Sequence, residues 1–506
     1  MLQRIVTLFA AALLLATPCF AQEPGASWKN AAQQAAAQPK VTDWSMAMEA
    51  FERGAGTGEF IVNLKAPASA AEAENSLRTQ AQKTTRRMEV QASREAALAQ
   101  MPDFPRSAIR HAYDNIHAFS VSVTPEQLEV LSANPDVVSI DPVFLVEAHL
   151  AQGIPLEGAS HYRSTYNGQG LSVAICDTGI DYTNAYLGGG SFPNAKVIGG
   201  YDVGEIDANP MDGQGHGTAC AGIVAGTLAS HEDYIGGVAY NAKLYAVKIS
   251  STATGDSATS AAMVAGWDWC VTHQNDNANY PIMIISTSFG GGRYTSVCDS
   301  TVTAMTAAAQ AAKDAGITLF VSSGNDGYCD SVGWPSCIST VMAVGAVFDA
   351  STGTWGFCVA NDSCATKELD YRCTAEDHGY ISWNPTQADM VTSYSNSASI
   401  VSLFAPSNMA YTLGIGEDAP YDKTFGGTSA ACPYAAGAAA ALQSAAKAET
   451  GKWLTPAQVK SILTSTGDLI TDGKVAITKP RVNLKAAIDR ALNPVMPVPN
   501  FMLLLD

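Results

Sequence analysis

Five short, nearly continuous apolar runs constrain this chain more than any other feature. They are Leu171-Ser172-Val173-Ala174-Ile175-Cys176, Tyr245-Ala246-Val247-Lys248-Ile249, Ile282-Met283-Ile284-Ile285, Ile317-Thr318-Leu319-Phe320-Val321 and Val341-Met342-Ala343-Val344. Runs of this length, rich in β-branched residues and lacking regular polar alternation, suit strands covered on both faces of a parallel sheet. Between them, residues 260–269 and 302–315 are rich in alanine and free of proline, which suits crossover helices. The expected fold class is therefore α/β, with a doubly wound, mostly parallel sheet. A chain of 506 residues exceeds one ordinary core, so a second folding unit is expected.

That second unit is sought ahead of the sheet. Arg4, the apolar stretch 5–16, Pro18 and the small-residue pattern Cys19-Phe20-Ala21 follow the grammar of a secretory leader cut after Ala21. A core helix is the alternative, and Pro18 argues against it. No later stretch approaches about 18 uninterrupted apolar residues, and 501–505 is far too short, so no membrane span is expected. Export to the periplasm or the medium follows. Twenty-nine basic against 47 acidic residues leave a net charge of -18, which repels nucleic acid. Removing Cys19 leaves ten of the 11 cysteines in an oxidising compartment, where disulfides form but spacing does not say which. Cys358, Cys364, Cys373 and His378 resemble a zinc set only loosely, and loop disulfides are the expectation.

Residues 22–150 read as a small α+β unit. Residues 60–64 form a strand, 70–100 a long helix of strong helix formers, and 119–123 a strand of period two. Thr124, Pro125 and Gln127 supply an N-cap, a first helical position and a capping box, and 137–146 returns as a strand. The resulting β-α-β-α-β sandwich has its core at about 58–149. The sheet domain then runs over 151–493, and the proline-bearing stretch 494–506 leaves the fold as a tail.

Ligands of open parallel sheets collect beyond the carboxyl ends of the strands. Asp177 follows the first run directly, with Gly179 allowing a turn; alone it is more simply a cap. His216 stands in Gly215-His216-Gly217-Thr218, ahead of a helix of small residues, where flanking glycines admit close approach to the imidazole. Ser429 lies in Gly426-Gly427-Thr428-Ser429-Ala430-Ala431-Cys432-Pro433, at the start of an alanine-rich helix. An N-cap is the ordinary fate of such a serine. Here the glycines leave its hydroxyl uncovered, and the helix dipole and free amides favour anionic charge beside it. A serine needs a base to become a nucleophile, and that base needs a carboxylate to hold its tautomer. Asp177, His216 and Ser429 supply those types in the order Asp, His, Ser, one of the known chain orders of a catalytic triad.

With Asp177-Thr178-Gly179, His216-Gly217-Thr218 and Gly427-Thr428-Ser429 followed by Pro433, the chain resembles the subtilisin-like serine peptidases, the subtilases. The resemblance covers about 158–492. It implies Asn325, in Ser323-Gly324-Asn325-Asp326-Gly327, as the side-chain donor of an oxyanion hole, and Ser288, Phe289, Gly290 and Gly324 as substrate-binding residues. It also implies that 22–150 is a propeptide acting as chaperone and intramolecular inhibitor, and that 351–390 is an insertion, of no assigned role, between two family blocks. The family often carries His, Met, Ser and His where this chain has Ala219, Ala430, Cys432 and Tyr434.

The implied function is a secreted serine endopeptidase, made as a zymogen, that cleaves polypeptides through an acyl-enzyme. No cofactor is required. Ca²⁺ is conceivable at Asp202, Glu205, Asp207 and Asp212, although an acidic loop is more often solvated. Cys176, Cys220 and Cys432, each near a triad position, are expected as buried fillers rather than bonded to one another. A non-catalytic binding protein on this scaffold would lack a triad member, a lipase-type esterase would use a Gly-x-Ser-x-Gly elbow, and a sedolisin-type acid peptidase would replace His216 by Glu.

Overall fold

A run apolar on every side needs cover above and below, and the sheet gets it. The computed structural model describes residues 27–66, 79–143, 145–148, 153–229, 234–251, 255, 257–351, 353–373, 379–416 and 420–493; the leader at 1–21, the bond near Leu150 and the tail at 494–506 lie outside them. Among the described residues, a nine-stranded sheet runs in the spatial order Asp468–Thr471, Thr478–Arg481, Leu403–Ser407, Met342–Phe348, Thr318–Ser322, Ile282–Thr287, Ser172–Asp177, Lys243–Lys248, Val197–Asp202. Only the outermost pair, Asp468–Thr471 with Thr478–Arg481, is antiparallel; the other neighbours are parallel.

Alternate residues of one strand face opposite layers. Val173 and Ile175 join the apolar cluster under helices His216–Ala225 and Thr428–Thr450, whereas Ala174 and Cys176 join the cluster under Ser260–Thr272 and Thr303–Asp314. The Thr428–Thr450 helix is buried from Thr428 through Ala446, which its small side chains permit in the crowded centre of the domain.

Four sheet strands escape the sequence pattern: the edge pair Asp468–Thr471 and Thr478–Arg481, and the two strands Val197–Asp202 and Leu403–Ser407. Val197–Asp202 is interrupted by Gly199 and Gly200, and a Cβ on Gly200 would stand 1.9 Å from the Ala246 carbonyl oxygen, so the glycine serves close strand packing. Leu403–Ser407 contains Pro406, which reads as a breaker until the sheet is seen to tolerate it.

The N-terminal unit has a four-stranded sheet in the order Ile109–Ala112, Ala118–Val123, Gly58–Leu64, Val137–Pro142, with helices Gln80–Ala99 and Pro125–Ala133. Both helices begin with capping boxes, at Thr79 and Thr124. Three expectations are corrected. The helix set at 70–100 starts, in its described part, at the Thr79 cap, and 70–78 lie outside the described residues. Ile109–Ala112 is an added strand, too short and too polar for the pattern to register. The single strand expected at 137–146 is two: Val137–Pro142 stays in this sheet, while Leu145–Ala148 crosses to another. Pro142 lacks the N–H that would continue the ladder. Two further helices, Ser27–Ala36 and Trp44–Arg53, precede the unit, and Asp43 caps the second through the Met46 amide.

Phe60 and Val62 face the unit's own core, whereas Ile61 of the same strand joins Tyr113, Ile116 and Val143 in the apolar layer shared with Ser260–Thr272 and Thr303–Asp314. Carboxylates frame this contact. Asp268 accepts the amides of Asp114 at 2.7 Å and Asn115 at 2.9 Å; Asp141 accepts the Thr303 amide at 2.9 Å, where that helix begins. Each satisfies backbone donors that the interface would otherwise strand.

Region 351–390 carries its own three-stranded sheet, Thr354–Val359, Tyr380–Pro385 and Glu368–Leu369. Disulfides join Cys298 to Cys337, Cys329 to Cys364 and Cys358 to Cys373. Cys358, Cys364 and Cys373 are thus consumed, leaving no thiolates for zinc, and His378 lies outside the described residues. Cys176, Cys220, Cys270 and Cys432 are buried thiols.

Candidate active site

Asp177 ends the Ser172–Asp177 strand, in the interior of the sheet, and is fully buried. Its Oδ1 accepts the Thr178 amide at 2.8 Å and meets His216 Nδ1 at 2.5 Å. His216 opens the His216–Ala225 helix, whose N-cap is Gly215 at φ 107°, a left-handed conformation that glycine takes freely. Gly217 matters for a steric reason. A Cβ there would stand 2.1 Å from the Gly179 carbonyl oxygen and 3.1 Å from Asp177 Cβ, so only hydrogen lets the helix start come this close to the strand end.

Ser429 is the second residue of the Thr428–Thr450 helix. Its hydroxyl donates to the Ser288 carbonyl at 3.1 Å, and the Ser288 hydroxyl donates back to the Ser429 carbonyl at 2.7 Å. Cys220, one turn along from His216, ties the histidine and serine elements together: its sulfur lies 3.9 Å from His216 Nδ1 and 3.7 Å from the Ser429 carbonyl oxygen. Burial pushes the Cys220 thiol well above its ordinary range, so it stays protonated beside the imidazole. The rings of Phe289 and Phe425 flank the imidazole at 5.7 Å and 5.6 Å between centroids. Asp177, His216 and Ser429, far apart in the chain, therefore converge at the carboxyl end of the sheet.

Asn325 sits at the same rim. Its Oδ1 accepts the amide and hydroxyl of Thr428, at 2.8 Å and 2.9 Å. The acceptor end of Asn325 is thus held by Thr428, the residue before Ser429, and its amide nitrogen is the donor end. Gly324, at φ 107°, donates its N–H to the Thr428 hydroxyl at 3.1 Å.

Ser288, Phe289 and Gly290 are buried, and the Phe289–Tyr294 strand pairs antiparallel with Leu145–Ala148, matching Phe289 to Ala148 and Gly290 to Glu147. On its other side Leu145–Ala148 pairs with Ser257–Thr259. The last described stretch of the N-terminal unit is thus an added strand between two edges of the sheet domain, the geometry of peptide recognition by strand addition. Beyond His216 a cleft of about 340 Å³ continues past Gln214, Ile415, Lys423 and Phe425.

Sequence reasoning missed two contributors. Ser257–Thr259 is too short to show a period. Asp212, weighed above only as a calcium ligand, takes Thr178 Oγ1, Gln214 N and Gly215 N on one oxygen and both donors of Thr218 on the other. Its position four residues before His216 was the available signal. Asp202 is likewise engaged, with Lys248 Nζ at 2.7 Å. The donor set Asp202, Glu205, Asp207 and Asp212 therefore does not fit a calcium shell, because Asp212 is saturated and Asp202 is paired to a cation.

Comparison with known proteins agrees with this geometry. The subtilase family model matches residues 168–484, and the peptidase inhibitor I9 model matches 59–149. The chain is 30% identical over 368 residues to serine protease AprX of Bacillus subtilis (strain 168), covering 71% of this chain and 76% of that protein. It is 27% identical over 392 residues to alkaline serine exoprotease A of Vibrio alginolyticus, covering 73% and 58%, and 28% identical over 274 residues to subtilisin E of Bacillus subtilis (strain 168), covering 52% and 62%. The chain therefore belongs to the subtilase family of serine peptidases and carries an I9-type inhibitor domain ahead of its peptidase domain.

Proposed function

We propose that Ser429 is the nucleophile of this endopeptidase, His216 its general base and Asp177 the carboxylate that orients the imidazole. The observation carrying this reading is the 2.5 Å contact between Asp177 and His216, whose ring packs against Phe289, the first residue of the strand that pairs with Leu145–Ala148. His216 removes the Ser429 proton as the oxygen attacks a peptide carbonyl, then returns it to the leaving amine; water completes the cycle through the same base. Asn325 and the Ser429 amide stabilise the oxyanion, and the substrate chain pairs with Ser288, Phe289 and Gly290 and passes Gly324. These steps draw on side chains, backbone and water, with no cofactor in them.

The leader 1–21 directs export, 22–150 is the propeptide, and 151–493 the peptidase domain with its 351–390 insertion. Leu145–Ala148 lies where substrate backbone would lie, which favours self-inhibition followed by cleavage near Leu150. The small residues Ser288, Gly290 and Gly324 assigned to substrate binding favour apolar or varied side chains before the scissile bond. A fluorophosphonate should label Ser429 stoichiometrically in the processed enzyme, and Ser429→Ala should abolish both labelling and hydrolysis. Retained hydrolysis in Ser429→Ala, or labelling elsewhere with Ser429 untouched, overturns the assignment.

A further inference from the structure

The insertion at 351–390 is fastened to the two segments that the proposed reaction uses. Its Ala360 amide donates to the Asp326 carbonyl at 2.8 Å, its Ser363 hydroxyl donates to the Gly327 carbonyl at 2.7 Å, and its Cys364 is bonded to Cys329. All three attachments fall within four residues of Asn325. A further link reaches the substrate-pairing strand. Arg293, on Phe289–Tyr294, donates to Asp362 of the insertion, to Asp330 at 2.9 Å and to Ser331 at 3.1 Å, with its guanidinium 4.6 Å from the centroid of the Tyr328 ring. One planar cation thus bridges strand, oxyanion loop and insertion.

These charged groups are solvent-exposed, with side-chain exposures of 36% for Arg293, 57% for Asp330 and 54% for Asp362. Exposed ion pairs add little to global stability. What the fork supplies is direction: its donors point to fixed acceptors and set the spacing of the parts that carry them.

We propose that the insertion is a positioning device, in which Arg293 and Asp362, backed by the Cys329–Cys364 disulfide, hold the loop of Asn325 in register with the substrate-pairing strand. Arg293 and Asp362 are positioning residues; neither touches the reacting atoms. The proposal rests on the assignment of Asn325 as oxyanion donor. Misplacement of such a donor raises the barrier more than it weakens ground-state binding.

The test compares Asp362→Asn, Arg293→Gln and Cys329→Ser/Cys364→Ser with Asn325→Ala in the processed enzyme. It reads kcat and KM per titrated active site, the Ki of a peptide boronate whose tetrahedral adduct needs the oxyanion donors, and Tm. Asp362→Asn and Arg293→Gln are expected to lower kcat about tenfold and weaken the boronate in proportion, with KM and Tm nearly unchanged. Cys329→Ser/Cys364→Ser, which leaves the Cys298–Cys337 and Cys358–Cys373 disulfides in place, should give a like loss. Unchanged kcat and boronate affinity in the two single variants overturns the proposal, as does a loss explained wholly by fewer titratable sites. Slowed clamp variants beside an unaffected Asn325→Ala would overturn the Asn325 assignment and keep the clamp.

Discussion

Asp212 and Thr218 form a two-point contact, with Asp212 Oδ2 accepting the Thr218 amide at 2.9 Å and its hydroxyl at 2.6 Å. The other oxygen of Asp212 takes the hydroxyl of Thr178, the residue after Asp177. One buried carboxylate therefore joins the strand end that carries Asp177 to the helix start that carries His216. Asp212→Ala leaves several buried donors unsatisfied, each costing about 1–3 kcal/mol before relaxation. We expect a lower urea midpoint and a fall in kcat beyond what the folded fraction accounts for; an unchanged kcat per active site would separate Asp212 from catalysis.

Gly217→Ala tests the steric side of the same junction. The added methyl carbon would meet the Gly179 carbonyl oxygen at 2.1 Å, so strand end and helix start must part. A shift of about 1 Å in such a geometry costs about 10²-fold in rate. Steady-state kinetics on a peptide amide should show that loss in kcat, while a variant with full kcat would mean the junction absorbs the methyl elsewhere.

Cys220 offers a chemical test. Its thiol is wholly buried, and burial together with nearby Asp177 raises its pKa, which suppresses the reactive thiolate. Iodoacetamide should leave the native enzyme active and unmodified at Cys220, as read by peptide mass mapping. Stoichiometric alkylation of Cys220 under native conditions would contradict this burial.

Lys83 predicts a pH dependence of the unprocessed chain. Its side chain is buried on the Gln80–Ala99 helix and donates to Gln274 of the peptidase domain at 2.9 Å; desolvation lowers its pKa from 10.5 to about 7. A group depressed in the folded state contributes stability that is complete above its unfolded pKa and is lost as pH falls toward the folded value. In the Ser429→Ala precursor, Lys83 should therefore add stability as pH rises from about 7 to 10.5. Lys83→Met should remove that increment, seen as a smaller difference in unfolding free energy between the two ends of the range. Equal pH dependence in both proteins would show that the ammonium is not desolvated.

Much of this molecule is local in origin and so legible along the chain. Each apolar run must be covered on both faces whatever its partners are, and Thr124-Pro125-Glu126-Gln127 caps a helix through contacts within four residues. Asp177, His216 and Ser429 were recognisable because glycines and small residues around them have no purpose unless backbone comes close, and the structure gathers the three at one rim. Less legible were glycine- or proline-bearing strands such as Val197–Asp202 and Leu403–Ser407, whose residues carry the breaker signal although the fold uses them as strands.

Relations between distant segments left no local trace. The pairing of Cys329 with Cys364 rather than with Cys358 depends on which loops the sheet brings together, and spacing is indifferent to that. Leu145–Ala148 continues the preceding strand in composition, yet it joins Phe289–Tyr294 because an open edge with unpaired amides and carbonyls stands there. Asp212 looked like one acid in a solvated loop until five donors from three segments closed around it. Backbone propensity and hydrophobic burial act within a few residues and can be read in order; hydrogen-bond satisfaction among parts hundreds of residues apart exists only once the chain has folded.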